Sequence, residues 1–248
     1  MKQHGIENSI KRGRQIADRL CHELNIAESA WAHFKAMSGE TIEARHQFRQ
    51  AMASLLVSNR GFLAVVLRDA IMALYRIVDD PCGDGFPLIE VSKLLDSQEL
   101  RTALINRAGA CAPKFDEDDS PYASHEAGLV EAKIALIRST VPLQWNKSPN
   151  NAIFYEWRKK FKDLRNQVLA HSGNACAIVN PNANEIDEGF SLISELVSAS
   201  CHIFVGSPRP GNSMRQLIDH ANCFWSYAQT GFVDAADRDH HARRSIRA

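Results

Sequence analysis

The stretch FLAVVLRDAIMALYRIVDD, from Phe62 to Asp80, constrains this chain more than any other. Its residues are apolar nearly all the way round a helical wheel. A helix of that kind is buried by other elements rather than laid on a surface. The stretch therefore demands a packing of several elements around one central helix. Asn59-Arg60-Gly61 separates it from what precedes, and Pro81 with Gly83 and Gly85 ends it.

What surrounds it reads as helix too. Ser9 to His22 is helix-like, with Ile10, Ile16 and Leu20 loosely on one side, and Ala27 to Val57 is a long second helix with a largely polar surface. PLIEVSKLLDSQELRTALINRAGA reads as two short helices, and CAPKFDEDDSPYAS as an acidic surface loop. A helix from Ser124 to Pro142 follows. Ser148-Pro149 signals the start of the next, which runs to His171 with Gly173 as its left-handed cap. NEIDEGFSLISELVSASCHIFVG and NSMRQLIDHANCFWSYAQTGF are the last two. CAIVN has the composition of a short strand but nothing to pair with. The expected fold class is all-α. It divides into an N-terminal helix over 1–26, a helical domain over 27–233 and a charged tail over 234–248.

Composition narrows the function classes. Lys plus Arg equals Asp plus Glu, at 29 each, so nucleic-acid binding would have to come from a local patch. The six cysteines are scattered without a C-x-x-C pair, which fits reduced thiols and a cytoplasmic location. The N-terminus lacks the apolar core of a signal peptide, and no apolar run is long enough for a bilayer. H-E-x-x-H, P-loop and G-x-G-x-x-G motifs are absent, and no metal or cofactor is expected. Cys201-His202 reads as packing, His240-His241 as part of a solvated tail, and Phe224, Trp225 and Tyr227 as packing of the last helix onto the bundle.

The chemically suggestive stretch is KDLRNQVLAHSG, Lys162 to Gly173. Ile153, Trp157, Phe161, Leu164 and Val168 form one helical stripe, which His171 continues. Alone, such a histidine is ordinarily a core residue with its ring nitrogens satisfied. A second stripe, Arg158, Lys162 and Arg165, runs beside it and places cations next to a titratable group at a helix end. The plain alternative for these three is a solvated face. On the buried helix, Asp69, Arg76 and Asp80 lie close to one face, with Arg68 beside it. Charges there are costly unless paired. An internal or dimer-interface salt bridge is the favoured reading, and support of a cleft by Asp69 or Arg76 the other.

LRNQVLAHS resembles the signature of the HEPN superfamily: an Arg, four to six residues often led by Asn or another polar residue, then His in an Ala-His ending. Here these are Arg165, Asn166 and Ala170-His171. AVVLRDAIMALYRIVDDP followed by PLIEVSKLL resembles the abortive-infection (Abi type U) branch, and the resemblance covers Ala27 to Val205. It implies an up-and-down four-helix bundle core with additional helices. It implies a homodimer whose Arg and His residues share a cleft. Active members are metal-independent endoribonucleases of toxin–antitoxin and antiphage defence systems.

The chemistry can be argued separately. RNA carries its own nucleophile, the 2′-OH. Cleavage then needs a proton carrier and a cation on the phosphoryl oxygens. His171 suits the first role and Arg165 the second. Asn166 would orient a partner or the substrate, while Arg158 and Lys162 would contact RNA. The expected partners are RNA, a second copy of the chain and an antitoxin protein. The alternative is a non-catalytic HEPN module that binds RNA or a partner protein.

Overall fold

The computed structural model describes residues 3–38, 56–79, 87–111, 120–143, 152–171, 183–207 and 214–225. Every regular element among them is a helix, as expected. In chain order these are α1 (Gln3–Ser38), α2 (Leu56–Val78), α3 (Pro87–Leu94), α4 (Gln98–Cys111), α5 (Ser120–Thr140), α6 (Ala152–His171), α7 (Ala183–Val205) and α8 (214–225). The helix start at Ser148-Pro149, the CAIVN segment, Gly173, Tyr227 and the tail from Asp234 lie outside the described residues.

Several boundaries differ from the sequence reading. One continuous helix, Gln3–Ser38, runs through the break expected between His22 and Ala27, and residues 39–55 of the expected second helix lie outside the described residues. Leu20, Leu24, Ala27 and Trp31 are all buried and follow one another at i, i+4, i+7 and i+11. A single stripe thus runs through the segment where a break was expected, and no Gly or Pro interrupts it. Likewise α2 runs straight through Asn59-Arg60-Gly61 and ends at Val78 rather than Asp80. A lone glycine costs a helix only about 1 kcal/mol, which tertiary packing readily overrides. Helix α5 starts at Ser120 instead of Ser124. Ser120-Pro121 is a start signal of the kind seen when Pro takes the first helical position. The two helices expected from Pro87 to Ala110 are present as α3 and α4. Ser97 caps α4, its Oγ accepting from the Leu100 N–H at 3.3 Å.

The chain divides into two compact units. The first comprises Met1–Ile26, Ile71–Asn166 and Asn180–Gly211. Within it α4 packs on α5, α5 on α7, and α3 touches α7. Its core holds Leu20 and Leu24 of α1, Ile71, Leu74 and Ile77 of α2, Leu88 and Ile89 of α3, and Phe154 and Phe161 of α6. Phe204 of α7 is fully buried as well. Ser92 Oγ donates to the Val141 carbonyl at 3.0 Å and ties α3 to the end of α5. Gly206, with φ of 90°, closes α7 in the left-handed conformation, its N–H donating to the His202 carbonyl at 3.1 Å. Arg14 Nε reaches the Phe204 carbonyl at 3.0 Å and satisfies another acceptor of that last turn.

Gly13 marks a close approach of α1 to α7. A Cβ placed there would overlap the Phe204 ring, which has no solvent-facing side to retreat to. In an ordinary helix, Gly→Ala gains about 1 kcal/mol. Here Gly13→Ala is expected to lose about 1–3 kcal/mol instead, because overpacking forces ring and backbone to shift. Urea unfolding of the two proteins reads the sign directly.

The second unit comprises Ala27–Ala70, Gln167–Val179 and Asn212–Ala248. Trp31 and Phe34 stack at 5.1 Å on α1. Trp225 Nε1 of α8 donates to His33 Nδ1 at 3.1 Å. That bond needs an unprotonated Nδ1, and burial accordingly pushes the His33 pKa down. Trp225 thus anchors α8, but Phe224 is 56% exposed and meets the other two rings only edge-on. The expectation that both aromatics pack inward therefore holds for Trp225 and not for Phe224. Val65 of α2 is exposed too, whereas Val66, Leu67 and Ala70 are buried. The apolar helix is thus less uniformly covered than its composition suggested.

Candidate functional site

Helix α6 carries the Arg–His motif, and its buried face is built by Phe154, Trp157 and Phe161. This differs from the stripe read from the sequence. Ile153 is 55% exposed and Phe154 has taken its place in the core. Both registers satisfy helical periodicity, and the larger ring wins because it removes more apolar surface from water. Gly189 of α7 permits the approach, since a Cβ there would come within 2.7 Å of both the Phe161 and Trp157 rings. Lys160 lies over the Trp157 ring at 4.6 Å and bonds Glu185 at 2.7 Å. The Glu185 bond is the main reason its pKa is raised.

Shifting the register rotates the polar face as well. Arg158 Nη2 lies 2.7 Å from Asp79 Oδ2, and that carboxylate is 5% exposed. The same Oδ2 accepts the Tyr75 hydroxyl at 2.9 Å. Tyr75 and Asp79 are four residues apart, so the end of α2 presents both to α6. Burial, then the Asp79 bond, push the Tyr75 phenol pKa up. About two turns beyond Arg158, Arg165 lies over the Tyr75 ring, 4.3 Å from its centroid. Arg165 Nη2 and Nε also donate to Asn166 Oδ1, at 2.7 and 3.1 Å. The result is a row in which Asp79 holds Arg158 through charge and Tyr75 holds Arg165 through its π face.

The residues expected from the sequence fall as follows. Arg165 and Asn166 touch each other, and Arg165 is seated on α2. Arg158 belongs to the same row, bound to Asp79. Lys162 is exposed. His171 is the last residue of α6, and its side chain lies outside the described set. Arg76 Nε bonds Glu23 Oε2 of α1 at 2.8 Å, the internal salt bridge favoured for it. Asp69 is half-exposed and meets its neighbour Arg68 at 3.4 Å. Asp80 lies outside the described residues. Cys201 and His202, adjacent in sequence, diverge: Cys201 Sγ faces the Ala17 carbonyl at 3.8 Å, and His202 Nε2 faces Glu126 Oε2 at 3.3 Å.

Tyr75, Asp79 and Glu23 were missed from the sequence. A tyrosine and an aspartate at i, i+4 in an apolar helix were the available signal for the first two, because a buried carboxylate must find donors. Among the described residues, no group of three or more His, Cys, Asp or Glu side chains is placed to hold a metal ion. Cys21, Cys111, Cys201 and Cys223 are free thiols. No described helix is long and apolar enough to cross a membrane.

The architecture and the row define an all-α protein with a cationic, carboxylate-anchored motif helix. Comparison with family models, with curated proteins and with solved structures returned no match.

Proposed function

We propose that the chain is a HEPN-type, metal-independent endoribonuclease of a defence or toxin–antitoxin system, acting in the cytoplasm as a homodimer. The observation that carries this reading is the seating of Arg165 on the Tyr75 ring, six residues before the histidine that ends α6. A guanidinium held on a ring loses less freedom when it meets a phosphate, and its planar fork suits two phosphoryl oxygens. In this reading Arg165 stabilises charge on the phosphoryl group. His171 takes the proton from the 2′-OH and returns it to the leaving oxygen. Asn166, which already receives two Arg165 donors, sets the rotation of the guanidinium. Lys162 meets the RNA backbone, and Arg158 supports it from its place on Asp79.

A second reading has an observation of its own. Asp79 neutralises Arg158, and Asn166 occupies one edge of Arg165. Groups so committed also suit a module that binds RNA or an antitoxin protein without cutting.

The test is a gel assay on total RNA in EDTA, with thermal melting and light scattering on the same samples. His171→Ala and Arg165→Ala are expected to lower cleavage by about 10²-fold or more while melting barely changes. Arg165→Lys should rescue poorly. Light scattering should report a dimer at micromolar concentration. A wild-type protein that binds RNA but never cuts it, with or without magnesium, would select the second reading. Activity only with magnesium would sink the mechanism.

A further inference from the structure

Outside the motif, the first unit carries a groove of about 460 Å³ between the N-terminal part of α1 and the first turn of α3. Its α1 wall is formed by Asn8, Lys11, Arg12, Gln15, Ile16 and Arg19. At 100° per residue these positions fall within an arc of about 140°, so one face of α1 supplies the whole wall. The groove is cationic. Lys11, Arg12 and Arg19 stand against one facing carboxylate, Glu90. Glu90 also fixes a cation, since its Oε2 accepts from Arg12 Nη2 at 2.7 Å while its Oε1 accepts from Lys93 Nζ at 3.0 Å. Among the described residues Lys11 has no acidic partner. The net balance of +0 for the whole chain therefore hides a local positive surface.

From Lys11 to Arg19 the cations extend over two helical turns, roughly 12 Å at 1.5 Å per residue. A single bound phosphate needs one such turn. Successive phosphates along an extended strand occupy a row. The amides of Asn8 and Gln15, interleaved with the cations, offer both donors and acceptors to sugars and base edges.

We propose that this groove binds the phosphodiester backbone of single-stranded RNA. It rests on the RNA reading above and adds a second contact surface to it, distinct from Arg165 and Lys162.

The experiment measures fluorescence anisotropy with a labelled 2′-O-methyl oligouridylate of about twelve nucleotides, a length within the footprint of a single-strand groove. The 2′-O-methyl group removes the nucleophile, so cleavage cannot distort binding. Lys11→Ala/Arg19→Ala is expected to weaken binding about tenfold near 0.1 M salt and to flatten the log Kd–log salt slope by about 1.4, two phosphates' worth for a single strand. Lys133→Ala/Arg138→Ala, which removes the same charge from α5, should leave Kd within twofold. Unchanged affinity in the α1 variant, or equal loss in the α5 variant, overturns the groove. So does full displacement of the oligonucleotide by millimolar uridine monophosphate, which would make it a mononucleotide site. Wild-type protein that shows no binding at tens of micromolar overturns it as well. The two readings fail separately: groove-dependent binding without cleavage of total RNA sinks the nuclease alone, and cleavage with groove-independent binding sinks the groove alone.

Discussion

Asp79→Ala is expected to destabilise the protein by about 3 kcal/mol, near the lower end of the range for removing one partner of a buried ion pair. The size follows from what is left behind. The carboxylate is 5% exposed and serves Tyr75 and Arg158 together. Without it, the Tyr75 hydroxyl loses its acceptor and Arg158 keeps its charge in a half-buried place. Arg158 retains 27% side-chain exposure, so water recovers part of its solvation and the loss stays below the fully buried limit. Asp79→Asn should cost less, because the amide oxygen still accepts from Tyr75. Arg158→Met combined with Asp79→Ala should recover more than half of the loss, since the stranded cation is gone. Urea unfolding of wild type, Asp79→Ala, Arg158→Met and the double variant closes the cycle. Strict additivity of the two single changes would show that the pair does not act as a unit.

Phe161→Ala is expected to cost about 3–5 kcal/mol, the usual range for truncating a fully buried phenylalanine. Ile153→Ala, on the same helix and in the stripe suggested by periodicity, should change stability by less than about 0.5 kcal/mol. The contrast is a test of register. Phe161 is 0% exposed and Ile153 is 55% exposed. Trp157→Ala should resemble Phe161→Ala, because the two rings pack 5.5 Å apart against Gly189. If Ile153→Ala proved the costlier change, α6 would have to be turned about its axis to bring Ile153 inward in place of Phe154. The seating of Arg158 and Arg165 on α2 would then be lost with it.

The two results bear on the motif in different ways. Losing Asp79 disturbs the charge that holds Arg158, yet leaves the Tyr75 ring under Arg165. Losing Phe161 loosens the whole helix. A cleavage defect that tracks stability in both variants would mark packing. A defect in the Arg165 variant at unchanged melting would mark chemistry.

The sequence alone determined that the protein is helical, because a 3.6-residue apolar period is a local property and strand signals are scarce in this chain. It indicated two short helices between Pro87 and Ala110, present as α3 and α4, and it located the motif Arg165-Asn166-His171 at the end of a long helix. Only the tertiary structure decided the register of α6, since Ile153 and Phe154 both satisfy the period and the choice depends on what α7 offers across the contact. The fate of each charge was settled in the same way. Arg76 found Glu23, 53 residues away, and Arg158 found Asp79, partners separated too far in the chain for spacing to pair them. The continuity of α1 through Ile26 was likewise a tertiary result. Breaks are signalled locally by Gly and Pro, whereas the reason to continue, one buried stripe from Leu20 to Trp31, appears only once its partners are in place.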